Sequence, residues 1–118
     1  KTKQTGKFSF GRRPTLDVEA TPMGTYQAIV YRAIGEQWYR QCDLNRDLIV
    51  TGTVRIRILI NKNGKVSSMR QTSRVGASEV QKSFTFLAIK LARLPAMPPE
   101  VRNALVGDSL EMYFDFNF

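Results

Sequence analysis

The sequence has no histidine and only one cysteine, and these two shortages exclude more function classes than any feature that is present. Without an imidazole there is no His-based triad, and with one thiol there is no Cys/His zinc site of the usual composition. A lone cysteine forms no intrachain disulfide, so the redox compartment is left open. A thiol nucleophile needs a base beside it, and Cys42 has no histidine to use; it reads as a small, buried or idle residue at a helix end. No apolar run approaches the roughly 18 residues that span a bilayer, and no signal peptide is visible. The chain begins at Lys1 rather than Met, which reads as a piece of a longer protein whose upstream part is free to hold an anchor.

Nucleotide motifs are missing too: there is no P-loop and no G-x-G-x-x-G. The ten acidic residues are dispersed rather than grouped for acid–base work. Asp43, Asn45 and Asp47 match the opening D-x-N-x-D of a calcium loop, but Leu48 stands where the loop needs Gly and Val54 where it needs the closing Glu. They read as a polar turn. The expectation is a protein with no cofactor, no metal and no catalytic constellation.

What is present suits one domain of 118 residues with a single modest core. The formal net charge is +8, of which residues 1–20 carry +3 as a basic arm or linker without periodicity. A short strand near Lys7–Phe10 is the one element expected there. Residues 21–118 form the domain. Thr25 is a candidate cap for a helix running to about Gln41. Its apolar stripe is Tyr26, Ile29, Val30, Ala33, Ile34 and Trp38, with Trp38 as core anchor.

A hairpin follows. Val54, Ile56, Ile58 and Ile60 alternate with Arg55, Arg57 and Leu59, and Asn63-Gly64 supplies the turn. The return strand starts at Lys65-Val66 and fades near Thr72. Val66 and Met69 are three apart, which breaks the alternation and calls for a β-bulge. Ser78 and Gln81 form a capping box for a second helix with Val80, Phe84, Leu87, Ala88 and Leu91 on its apolar face, stopped by Pro95. Pro99 starts a short helix through Ala104, ended by Gly107. The chain closes on a strand, Ser109, Leu110, Glu111, Met112, Tyr113, Phe114, Asp115, Phe116 and Asn117.

The order helix–strand–strand–helix–strand, with one apolar face per strand, predicts an α+β fold: two helices packed on one face of a three-stranded antiparallel sheet. Charge sets the strand order. Arg55 and Arg57 share a face with nothing acidic on their own strand, while the closing strand offers Glu111 and Asp115. Opposite charges across neighbouring strands favour pairing by about 0.2–1 kcal/mol each. The closing strand therefore belongs beside the first strand of the hairpin, at a sheet edge with main-chain groups facing outward. Such an edge invites strand addition by a partner. Residues Ser109 to Asn117 are the candidate partner-binding site, with Glu111, Tyr113 and Asp115 flanking the incoming strand and Phe114 and Phe116 serving the core. The same edge also admits a strand-exchanged homodimer.

A second reading takes the basic hairpin 53–72, with Arg55, Arg57, Lys62, Lys65 and Arg70, as a nucleic-acid-binding ribbon. The outward aromatics of an RNA-stacking sheet are lacking; only Tyr113 qualifies. That makes nucleic acid the lesser expectation.

From about Ala20 to Phe118 the chain resembles the C-terminal domain of the TonB/TolA family. The resemblance is carried by Tyr26 to Tyr39 with its Trp38-Tyr39 end, by GTVRIRILINKNGKV at 52–66, and by AIKLARLPAMPP at 88–99. The helix-to-proline segment is closer to the TolA flavour. The chain departs from TonB domains in having Gln27 after Tyr26, where Pro is frequent, and from the best-known TolA type in that Cys42 has no mate. The resemblance implies an energy transducer anchored in the inner membrane, with motor proteins reached through its N-terminal part. Its periplasmic terminal domain would bind an outer-membrane TonB-dependent receptor or a Tol-like protein through the edge of the last strand.

Overall fold

Thr21 and Pro22 start the first helix, a turn earlier than Thr25. The Thr21 hydroxyl accepts a hydrogen bond from the Gly24 amide at 3.0 Å, and Pro22 occupies a first-turn position where its missing amide costs nothing. The computed structural model describes residues 3–9 and 20–118. Its elements are β1 (Lys3–Ser9), α1 (Pro22–Leu44), β2 (Thr53–Asn61), β3 (Val66–Val75), α2 (Glu79–Leu91), α3 (Pro99–Ala104) and β4 (Ser109–Asn117). A short 3-10 turn at Arg46–Leu48 links α1 to the sheet.

The predicted α+β architecture is present. β2, β3 and β4 form the three-stranded antiparallel sheet, with β2 central and β4 beside it as the charges predicted. Val54, Ile56, Ile58 and Ile60 of β2 and Leu110, Met112, Phe114 and Phe116 of β4 are all fully buried under the helices. Between them stand Thr53, Arg55, Arg57 and Leu59, only partly covered on the opposite face. The sheet thus has one packed face and one polar face.

One feature corrects the sequence reading. β1 lies along β4 in parallel, so the sheet order is β1-β4-β2-β3 and the last strand is not its outer edge. The strand expected near Lys7–Phe10 runs instead over Lys3–Ser9. Phe10 and the rest of the arm, residues 1–2 and 10–19, lie outside the described residues.

The bulge required by Val66 and Met69 is there, and a second accompanies it. Register shifts fall between Leu59 and Ile60 and between Arg55 and Ile56, leaving Ser67 and Thr72 as the extra residues of β3. Each hydroxyl reaches the β2 carbonyl beside its bulge, Ser67 to Leu59 at 3.3 Å and Thr72 to Arg55 at 3.4 Å. β3 continues to Val75, past the predicted fade at Thr72.

The capping box of α2 is complete, with the Ser78 hydroxyl accepting from the Gln81 amide and the Gln81 side chain accepting from the Ser78 amide. The buried face of α2 differs from the one expected. Gln81, Phe84, Thr85, Ala88 and Ile89 are buried, whereas Val80, Leu87 and Leu91 are close to half exposed. The helix is turned by about one residue because two polar side chains find partners inside. Trp38 Nε1 donates to the Thr85 hydroxyl at 3.0 Å, and Gln81 Nε2 donates to the Val50 carbonyl at 2.8 Å. On α1, Ile29 is likewise 41% exposed, and Tyr31 takes its place in the core. Trp38 is the core anchor expected, with ring centroids 5.3 Å from Phe116 and 5.0 Å from Phe118.

The segment after α2 is extended until α3, and three contacts fasten it. The Met97 amide donates to the Lys62 carbonyl at 3.0 Å, and the Tyr26 hydroxyl donates to the Pro95 carbonyl at 2.8 Å. Gly64 sits against the same segment at φ +84, and a Cβ there would stand 2.3 Å from the Pro95 oxygen. Both the turn and the close approach require glycine. Gly64→Ala is therefore expected to lower stability by about 1–3 kcal/mol from backbone conformation alone, with the contact to Pro95 adding to it. Urea denaturation checks this; an unchanged midpoint would show that the turn and the proline segment are not coupled.

Candidate functional site

In the antiparallel β2–β4 pair, alternate residues of each strand direct their main-chain groups at the partner and the others direct them away. The Phe118 amide donates to the Gly52 carbonyl at 2.8 Å, and the β2–β4 register runs without a shift from Thr53↔Asn117 to Asn61↔Ser109. Leu110, Met112, Phe114 and Phe116 therefore face β2 with their main-chain groups. Glu111, Tyr113, Asp115 and Asn117 face the other side, where β1 lies. The candidate site of the sequence reading, Ser109 to Asn117, is thus a continuous strand with a regular row of groups on its outer side. Its apolar residues Leu110, Met112, Phe114 and Phe116 are in the core, as expected for Phe114 and Phe116.

The polar face of the site is held by β2. Asp115 is directly opposite Arg55 and takes a two-point pair, Nε at 2.6 Å and an Nη at 3.0 Å. Glu111 lies diagonally across from Arg57 and pairs with its Nε. Glu111 is buried, at 6% exposure. Hydrogen bonding to Asp115 raises the Arg55 pKa above its ordinary value, and hydrogen bonding to Glu111 does the same for Arg57.

These pairs also bear on the nucleic-acid reading. Two of its five cations, Arg55 and Arg57, are paired with carboxylates of β4 on the polar face of the sheet. Lys62 lies 4.0 Å from Asp108.

The two sides of the sheet manage strand pairing differently. β3 carries two bulges and the charges of Arg70 and Arg74, devices that blunt an edge against further pairing. Arg74 is further tied to Glu79 and to the Ala77 carbonyl. β4 has no bulge, and its pairing with β1 covers seven residues from Lys3↔Glu111 to Ser9↔Asn117. The sequence reading expected a strand in this arm, near Lys7–Phe10, but not its pairing with β4. Its alternation is short and mostly polar, and its partner lies more than a hundred residues away.

Elsewhere the structure offers little for catalysis among the described residues. Asp43 pairs with Arg46 at 2.9 Å, and Asn45 caps α1 by donating to the Gln41 carbonyl, so the D-x-N-x-D stretch is occupied as a turn. Cys42 is fully buried, and burial, with Asp43 nearby, pushes its thiol up to about 12. A groove of about 660 Å³ beside the start of α1, bounded by Tyr26, Ile29, Pro95 and Pro98, has Glu100 as its one carboxylate among the described lining residues. Comparison with protein-family models and with curated proteins returns no match.

Two measurements check this description. A double-mutant cycle on Arg55→Ala and Asp115→Ala should give a coupling of about 0.5–1 kcal/mol that shrinks at high salt, as for a pair partly open to water. No coupling would mean that the charges do not hold β4 to β2. Cys42 should react with a thiol reagent at least ~100-fold more slowly in the native protein than in urea, since reaction needs opening of the core. Fast native labelling would contradict its burial.

Proposed function

We propose that this chain is a non-enzymatic interaction domain of the TonB/TolA kind. In this reading it is the periplasmic end of an energy transducer anchored in the inner membrane, and it grips an outer-membrane receptor or a Tol-like protein by strand addition at β4. The reading rests on the family resemblance of residues 20–118. One structural observation supports it most directly: the outer side of β4 is regular over Glu111 to Asn117 and already takes up an extended segment. Main-chain pairing supplies affinity with little demand on sequence, and flanking side chains add selectivity. A domain that transmits force benefits from such a bond, because a strand lying along β4 spreads load over several hydrogen bonds at once.

The covered edge accommodates the reading rather than opposing it. A terminal strand with a smooth outer side has to be protected when no partner is bound. An internal strand does that and is exchangeable in a way that a bulge or a buried charge is not.

The location is tested on the full-length gene product in its own cells, by membrane fractionation and protease accessibility. Cleavage of this domain only after the periplasm is opened, in an inner-membrane protein, is the expected result; a soluble cytoplasmic protein would overturn the reading. The edge is tested by proline. Tyr113→Pro and Asp115→Pro remove amides that face away from β2, and each should weaken partner binding about tenfold while costing less stability than Phe114→Pro, whose amide faces β2. Equal losses of binding and stability in all three would count against strand addition at β4.

A further inference from the structure

The pairing of β1 with β4 has a charge register. Lys3 stands opposite Glu111 and Lys7 opposite Asp115, with Thr5 opposite Tyr113 between them and Gly6 opposite Phe114. The two acids of β4 thus pair with arginines of β2, and lysines hold the register positions opposite them on β1. Directly opposed opposite charges favour one register over its neighbours. A slip of one residue would set Gln4 and Phe8, or Thr2 and Gly6, against those acids.

We propose that Lys3–Ser9 is a resident pseudo-ligand. It occupies the partner-binding edge of β4 in the direction and register that a partner strand takes, and an incoming parallel strand with basic residues four positions apart displaces it. This rests on the strand-addition reading above and adds its regulation and the chemistry of the strand it selects. The site is closed when the arm is docked and opens when the arm leaves. Apparent affinity for any partner falls by the fraction of time the edge is open. Because the occupant belongs to the same chain, its effective concentration is set by the connection from Ser9 to Pro22 and not by the protein concentration. Anything that draws β1 off β4, a pull at its Lys3 end included, raises the open fraction.

The test uses the whole 118-residue chain. Two adjacent prolines, Thr5→Pro with Gly6→Pro, remove whichever of the two amides faces β4 and so release β1. The probe is a fluorescein-labelled peptide of sequence KQTGKFS, followed by anisotropy at low salt. Hydrogen exchange at the Tyr113 and Asp115 amides is read alongside. The released variant should bind the peptide at least about tenfold more tightly than the parent chain, which corresponds to an edge open less than about a tenth of the time. Its two amides should exchange quickly alone and slowly with peptide, and the peptide EQTGEFS should bind at least about tenfold more weakly. Should the double proline variant fail to fold, Lys3→Glu with Lys7→Glu gives the same comparison through charge.

Rapid exchange of both amides in the parent chain, or equal affinity for the two peptides, would overturn the proposal. Those results leave strand addition by an envelope partner standing on its own proline test. Conversely, a chain that binds KQTGKFS as expected in a cell where the protein is cytoplasmic would retain the pseudo-ligand and discard the transducer.

Discussion

The phase of hydrogen bonding between β2 and β4 governs the rest of this molecule. Once the Phe118 amide is committed to Gly52 and the register runs unshifted, each residue of β4 has one assigned direction. The even-numbered residues send their main-chain groups to β2 and their side chains into the core. The odd-numbered residues send their main-chain groups to the opposite side and their side chains to the polar face. One choice thereby sets the Phe114–Phe116 core, the Arg55–Asp115 and Arg57–Glu111 pairs, and the row of groups that β1 meets. A slip of one residue would reverse every one of these assignments.

The helices reinforce that phase from above. Trp38 touches Phe116 and Phe118, at and just beyond the end of β4, and is held in place by Thr85 of α2. Removing the Thr85 hydroxyl leaves a buried indole N–H without its acceptor, which costs about 1–3 kcal/mol. The proline segment contributes from the other end of the sheet, where Met97 and Pro95 are bonded to the hairpin turn and to Tyr26. Both ends of the helical layer are therefore fastened to the sheet by specific polar contacts, and the middle by apolar packing.

Most of this was legible in the residues, and the failures have identifiable physics. Local signals worked where the pattern is local: the Asn63-Gly64 turn, the Ser78–Gln81 box, the Val66–Met69 phase break. Strand order followed from charge because Arg55 and Arg57 have acidic partners on one strand alone. The face of α2 was misread because hydrophobicity alone ranks Val80 and Leu87 above Gln81 and Thr85, whereas buried hydrogen bonds reverse that ranking. The start of α1 was placed at Thr25 although Thr21-Pro22 carries the stronger signal. The pairing of β1 with β4 lay beyond local reading altogether. Parallel pairing of the two chain ends depends on an edge that exists only after the rest has folded, and the open-edge reading of β4 failed for that reason.

That dependence is what makes the β1 pairing informative about function. A strand that docks on a finished sheet forms no part of the core nucleus, and a long loop must close before its contacts form. β3, by contrast, is built into the hairpin and is bulged and charged on its outer side. Of the two flanks of the β2–β4 core, one is bulged and charged and the other is covered by β1. A sheet needing protection alone could have used the first solution on both sides. That asymmetry is the structural support for the proposal that a partner strand is accepted at β4.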